Sequence, residues 1–324
     1  MNVIKDWLRT VRAVNLIIII LSQMLCWFCL IKPFELFTNE TLFLNFNNAL
    51  LLSMATAMIA ASGYIINDYF DVKIDAINKP EKSLKGRGIK SESTIFLYVV
   101  FNLIGLSIFG NFAFQLNNFY LILLPLSCII VLWFYSALFK RKFIVGNIVV
   151  AALTAFTLLI LIAFEPSVWT YLPQAILKNN QGINKLNPLW ILIIYSVFAF
   201  LLNWIREIIK DIEDIKGDAA DGCVTMPIKI GIGPTVRIVR MLLLLTISIL
   251  IISGFLLFRE QEFLLTVCLI LLVIVPLFLI FEQFGKSQQI ESFNRYSNYL
   301  KLIMILGITI LVVIYFSQYY NLFK

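Results

Sequence analysis

Two short stretches of this chain could do chemistry together. DYFDVKID (68–75) and DIEDIKGD (211–218) both read D-x-x-D-x-x-x-D. They hold Asp68, Asp71, Asp75, Asp211, Asp214 and Asp218, six of the eight aspartates in the chain; the other two are Asp6 and Asp221. On a helix the offsets i, i+3 and i+7 fall within about 60° of one face. Like charges so placed repel, and a divalent cation relieves the repulsion. The chain has no histidine, so a carboxylate-only donor set points to a hard metal such as Mg²⁺. Mg²⁺ takes one or two carboxylates, waters and phosphate oxygens. Two such clusters facing each other would therefore bridge to a diphosphate through metal. The competing reading, a solvated acidic loop, does not explain why the same spacing occurs twice.

Basic residues flank both clusters. Lys79, Lys82, Lys85 and Arg87 follow the first, and Arg206 and Lys210 precede the second; Lys140, Arg141 and Lys142 lie between. A diphosphate leaving group needs such cations as its charge grows. Arg206 and Lys210 stand out because they sit at a helix end, where charge is costly. An organic tail on that diphosphate could lie among apolar helices, where an allylic cation is shielded from water and faced by aromatic rings. Tyr64, Tyr69, Phe70, Tyr135 and Trp204 lie near the relevant helix ends, and Tyr135 is the candidate among them. The missing histidine also excludes a Ser-His-Asp triad. Cys26 and Cys29 form a C-x-x-C within an apolar helix, where packing is the expected role.

The elements that must position these residues are membrane helices. The chain has 324 residues, is 60% hydrophobic and 14% charged, and has a mean hydropathy of +0.91. Soluble domains carry about 25% charged residues. Nine stretches are long enough to span a bilayer, near 13–32, 48–66, 94–113, 119–138, 145–164, 189–209, 240–258, 263–281 and 300–319. The first has no small-residue cleavage site after it and is expected to be retained. With the N-terminus inside, 21 of the 26 Lys and Arg residues fall on the cytoplasmic side. The net charge of +7 then reflects topology, with no nucleic-acid partner implied. The expectation is an all-α polytopic membrane protein, one domain over 1–324, with the C-terminus outside. Its acid clusters open two long cytoplasmic loops, 67–93 and 211–239. Helices 2–5 would be echoed by helices 6–9, two four-helix repeats with helix 1 left over.

At these residues the chain resembles a known family. NDYFDVKIDAINKP (67–80) is similar to the first signature of the UbiA-type intramembrane prenyltransferases, and REIIKDIEDIKGD (206–218) to the second. TMPIKIG (225–231) and YSALFKR (135–141) match further family patterns. The resemblance covers the whole chain and implies nine helices. It also implies that Asn67, Asp68, Asp71, Asp75, Asp211, Asp214 and Asp218 bind two Mg²⁺ and, through them, a polyprenyl diphosphate. Lys79, Lys82, Arg87, Arg141 and Lys210 would contact its phosphates. The implied reaction joins the prenyl group to a lipophilic acceptor and releases diphosphate, and no protein partner is implied. The wording resembles the digeranylgeranylglyceryl phosphate synthase-like branch, whose acceptor is a glycerol phosphate ether lipid. Other branches use 4-hydroxybenzoate, dihydroxynaphthoate, homogentisate or haem. Where the family often reads Arg-Pro-x-Arg-Pro, this chain has NKPEKSLKGRG (78–88), with lysine point charges in place of planar guanidinium forks.

Other functions fit less well. A CDP-alcohol phosphotransferase carries D-x-x-D-G-x-x-A-R, but Val72 follows Asp71 here. A divalent-cation transporter needs acids at the membrane midplane, and none of the nine stretches has an internal aspartate. An inactive scaffold would not need both acid triples complete. The cell's inner membrane, with a cytoplasmic active site, is the expected location.

Overall fold

Long apolar runs in lipid must satisfy their backbone polar groups internally, and a helix does so within one segment. The computed structural model describes residues 3–33, 35, 41–78, 80–84, 86–168, 188–286 and 290–319. Among these there are helices and no strands. A short surface helix α1 (Val3–Thr10) leads into the first span α2 (Ala13–Ile31), whose last turn widens into a π-helix from Trp27. Further spans are α3 (Phe46–Phe70), α5 (Ser91–Gln115), α6 (Phe119–Ala137) and α7 (Val145–Ala163). The second half adds α8 (Pro188–Glu213), α11 (Ile232–Arg259), α12 (Phe263–Gln283) and α13 (Ile290–Tyr319). Nine described helices are thus long and apolar enough to cross a membrane. Three short helices, α4 (Val72–Asn78), α9 (Ile215–Ala220) and α10 (Met226–Ile230), lie between spans on one face of the bundle.

The bundle's outside is apolar. Phe96, Phe255 and Met241 are each about two-thirds exposed, which is unstable in water over so large an area and natural in a bilayer. This is an integral, multi-pass membrane protein.

α3 and α8 form the centre. α3 packs against α2, α5 and α6, and α8 against α7, α11 and α13. Small residues on α3 (Ala49, Ser53, Ala55, Ala57, Ala61) are buried and let neighbouring backbones approach. The Ser62 hydroxyl donates to Asn102 Oδ1 on α5 at 2.7 Å. At the face opposite the acids, Glu165 is fully buried and accepts from the Leu44 N–H at 2.8 Å and the Ser167 hydroxyl at 2.5 Å. Cys26 and Cys29 are buried and unbridged, in keeping with packing.

Two expectations need correction. The apolar stretches 48–66 and 189–209 understate their helices, which run on to Phe70 and Glu213. Asp68 and Asp211 therefore lie in the last turns of spanning helices. Helical hydrogen bonding does not stop where hydrophobicity does: Asp71 N–H still donates to Asn67 C=O, and Asp214 N–H to Lys210 C=O, both at 2.9 Å. For the same reason the segments 67–93 and 211–239 are largely helical, not loops.

Candidate active site

Each acid triple straddles a helix break at its middle aspartate. Asp71 and Asp214 have nearly the same backbone, φ −87° and ψ 3° against φ −97° and ψ 7°. The hydrogen-bond ladder nevertheless crosses both breaks, from Asp75 N–H to Asp71 C=O at 2.8 Å and from Asp218 N–H to Asp214 C=O at 3.1 Å. So all six aspartates still line one cavity. One side-chain amide locks the two acid segments together. Asn78, at the end of α4, donates to the Asp214 carbonyl at 2.9 Å and accepts from the Gly217 N–H at 2.8 Å.

Cations from distant segments hold the first cluster. Asp68 is buried between Arg12 (3.4 Å) and Arg87 (3.6 Å), and Arg87 also donates to the Thr10 hydroxyl at 2.7 Å. Arg12 sits in the left-handed region, φ 52°, where the chain turns from α1 into α2, and its guanidinium lies 4.6 Å from the Tyr64 ring centroid. Burial opposes the Arg12 charge, but Asp68 and Tyr64 more than offset it and raise its pKa. Asp71 accepts from Asn67 Nδ2 at 2.6 Å and is paired with Lys140. Burial likewise opposes the Lys140 charge, and Asp71 outweighs it, so Lys140 stays protonated well above its usual range. Burial, with Asp71 and Asp68 nearby, pushes Asp75 up to about 6.

In the second cluster, Asn147 on α7 donates to Asp211 at 2.9 Å. Glu207, one turn earlier, takes Lys210 at 2.5 Å and Arg206 at 3.6 Å. Asp218 is buried.

The cavity behind these groups holds about 1120 Å³, above the range of about 300–1,000 Å³ usual for small-molecule sites. It reaches from Asp75 and Glu81 at the acid face to Leu256 and Glu260 at the far end of α11, and its walls between are mostly apolar. α11 has 28 residues, about 42 Å, so the cavity follows the membrane through its thickness.

Most of the residues singled out from the sequence meet here. Asn67, Asp68, Asp71, Asp75, Arg87, Tyr135, Arg206, Lys210, Asp211, Asp214 and Asp218 all line the cavity. Arg141 does not: its guanidinium pairs with Asp221 at 2.7 Å and its carbonyl accepts from the Val224 N–H, while the neighbouring Lys140 turns inward. Lys79 and the Lys82 side chain lie outside the described residues. Arg12, Asn78, Asn147, Glu207 and Lys301 join the site without having been singled out as its residues, and Lys140, expected only as one of three cations between the clusters, becomes the partner of Asp71. The N-terminal position of Arg12 in a basic segment, and Lys301 at the start of an apolar stretch, were the available signals.

The donor set suits a hard divalent cation. Asn67 Oδ1 is buried and, among the described residues, has no hydrogen-bond partner, which leaves a spare oxygen donor beside Asp68 and Asp71. Among the described residues no three acidic side chains close into a cage. That is the arrangement expected for an ion that completes its shell with water and substrate phosphate.

A membrane bundle with carboxylates and cations at the mouth of a long apolar chamber is the architecture of an enzyme for amphiphiles with polyanionic heads. Residues 25–317 match the UbiA prenyltransferase family. A digeranylgeranylglyceryl phosphate synthase of Saccharolobus solfataricus is 30% identical over 268 residues, 82% of this chain and 84% of that one. A solved structure described as digeranylgeranylglyceryl phosphate synthase in membranes shares the fold at TM-score 0.60 and 23% identity, covering 98% of this chain and 100% of that one. A UbiA homologue from Archaeoglobus fulgidus, solved with DMAPP and Mg²⁺, has TM-score 0.55 and 16% identity over 95% and 99%. The chain belongs to the UbiA prenyltransferase family.

Proposed function

We propose that this enzyme transfers a prenyl group from a polyprenyl diphosphate to geranylgeranylglyceryl phosphate, releasing diphosphate, with Mg²⁺ as cofactor. The observation that carries the reading is the pair of acid segments, clamped together by Asn78, at the mouth of a cavity long enough for an extended isoprenoid. The Saccharolobus relative supports the acceptor, and the Archaeoglobus homologue, solved with a prenyl diphosphate and Mg²⁺, supports the donor and metal.

Asn67, Asp68, Asp71 and Asp75 on one side, and Asp211, Asp214 and Asp218 on the other, would hold Mg²⁺, which when bound neutralises the diphosphate and stabilises it as a leaving group. Lys140, Arg87 and Lys210 add fixed positive charge where the leaving oxygen becomes anionic; Lys79 and Lys82 are proposed to do the same. The allylic C–O bond breaks with its electron pair leaving on the diphosphate. Tyr135 and the apolar walls keep water from the resulting cation. The acceptor hydroxyl oxygen then forms the new C–O bond and gives up its proton to the released diphosphate. Asn147 and Lys140 are positioning residues that fix Asp211 and Asp71.

The excess of Lys and Arg on the acid side favours a cytoplasmic active site, N-terminus inside and C-terminus outside, in the cell's inner membrane. The whole chain then works as one catalytic unit.

The test is a membrane assay with radiolabelled geranylgeranyl diphosphate, with and without Mg²⁺. Metal-dependent product with geranylgeranylglyceryl phosphate is expected. Product with 4-hydroxybenzoate or dihydroxynaphthoate alone would reassign the acceptor to the aromatic class.

A further inference from the structure

A charged side chain in a spanning helix is costly and needs a counter-charge. Most cations on the cavity wall have one. Arg12 and Arg87 share Asp68, Lys140 has Asp71, and Arg206 and Lys210 share Glu207. Lys301 on α13 differs. Its ammonium meets a neutral group, Asn15 Oδ1 on α2, at 2.5 Å, and among the described residues no carboxylate pairs with it. It lines the same cavity.

A second cation faces it. α8 runs towards the acid face and α13 away from it, and Asn203 Nδ2 on α8 meets Met304 Sδ on α13 at 3.4 Å. One turn nearer the acids on each helix stand Arg206 and Lys301, opposite one another. Arg206 Nε is buried and, among the described residues, has no acceptor. Two facing cations with an unmet donor form a seat for a multivalent oxyanion. The diphosphate has its own seat at the aspartates, so this one takes a different anion.

We infer that Lys301, Arg206 and Asn15 bind the phosphomonoester head of the acceptor, apart from the diphosphate seat proposed at the aspartates. The inference rests on the acceptor class proposed above. Past Lys301, the wall of Gly307, Ile308, Leu250 and Ser253 leads away from the acids and suits the acceptor's hydrocarbon chain.

The experiment measures equilibrium binding, without Mg²⁺, of a long-chain alkylglyceryl phosphate and of the same alkylglycerol without phosphate. It uses the purified full-length protein in detergent. The wild type should prefer the phosphomonoester by about tenfold or more. Lys301→Met should remove most of that preference and Lys301→Arg should keep it. Because the preference compares two ligands on one protein, a general loss of fold does not imitate it, and Lys301→Gln replaces the Met variant if that one does not purify. An unchanged preference in Lys301→Met and Lys301→Gln overturns the inference. Transfer by the wild type to the phosphate acceptor, with the preference unaffected by Lys301, rejects the seat and leaves the function standing. A Lys301-dependent preference without transfer to that acceptor rejects the proposed function and leaves the seat standing.

Discussion

The Asn78 side chain is bonded on both of its polar atoms to the backbone around Gly217, 139 residues away, at 2.9 Å to the Asp214 carbonyl and 2.8 Å to the Gly217 N–H. This contact fixes the distance between the two acid segments. Gly217 leaves the room that Asn78 occupies: an added Cβ would come within 2.4 Å of Asn78 Nδ2. Gly217→Ala should therefore push Asn78 aside, and Asn78→Ala should leave the Gly217 N–H unmet, at about 1–3 kcal/mol where water cannot reach, while the Asp214 carbonyl keeps the Asp218 N–H. A shift of about 1 Å between reacting groups costs on the order of 100-fold in rate. Both variants are expected to lose at least tenfold in kcat while still purifying as folded protein. A kcat within twofold of wild type in both would show that the clamp does not set the site.

The aspartates themselves should be less forgiving. Asp68 and Asp211 each end a spanning helix and line the cavity mouth. Asp68→Ala or Asp211→Ala is expected to lower transfer by at least about 100-fold, the scale set by losing one preorganised charge contact. Size-exclusion and thermal melts should show that the protein remains folded. Near-normal turnover in both would remove the two-cluster mechanism.

Much of this site could be read along the chain because its strongest signals are charges in an apolar background. The acid triples and the nine long stretches are visible without coordinates, since spacing and length carry them. What stayed hidden is what depends on contacts between distant segments. Asn78 and Asn147 are neutral and ordinary in sequence, and only the fold brings them to Gly217 and Asp211. Lys140 and Arg141 are adjacent, and the choice between them follows from Asp221 and Val224 anchoring Arg141 on the outside. Lys301 was absorbed into the tally of cations that set topology. The helix ends were misjudged because a helix can carry its hydrogen bonds past the last apolar residue into the acids.

Asp75 makes stability and function run in opposite directions with pH. Its carboxyl would ionise near 3.9 in an unfolded chain, but burial and the neighbouring Asp71 and Asp68 raise it to about 6 in the fold. Between these values the folded chain keeps a proton that the unfolded chain has released, so this group's contribution to stability falls as pH rises from about 4 to 6. Metal binding needs the ionised form, so Mg²⁺ affinity should rise with pH and level off above about 6. Below that, the Mg²⁺ concentration giving half-maximal transfer should increase about tenfold per pH unit, as one proton is displaced. Asp75→Asn should weaken Mg²⁺ at pH 7.5 and flatten this dependence. In Mg²⁺-free buffer at the same pH it should raise the melting temperature, because it removes a half-buried charge that Asp71 and Asp68 repel. A lower melting temperature there would contradict the assigned environment of Asp75.

Lys140 and Arg141 offer a contrast between neighbours. Lys140 lines the cavity and pairs with Asp71, while Arg141 is about two-fifths exposed and ties the α6–α7 turn to Asp221. Removing Lys140 subtracts a fixed positive charge from the place where the diphosphate develops negative charge, and it leaves Asp71 with one neutral donor, Asn67. Lys140→Met should therefore lower kcat/KM for the prenyl diphosphate by about 10- to 100-fold. Arg141→Met loses a partly exposed ion pair, worth about 0–1 kcal/mol, and should change kcat/KM by less than about threefold. The two variants need to be compared in one preparation series, with the acceptor saturating and the diphosphate varied. If Arg141→Met proves the more damaging, the diphosphate approaches from the outer side of the turn, and the inward placement of Lys140 is not the one that serves the reaction.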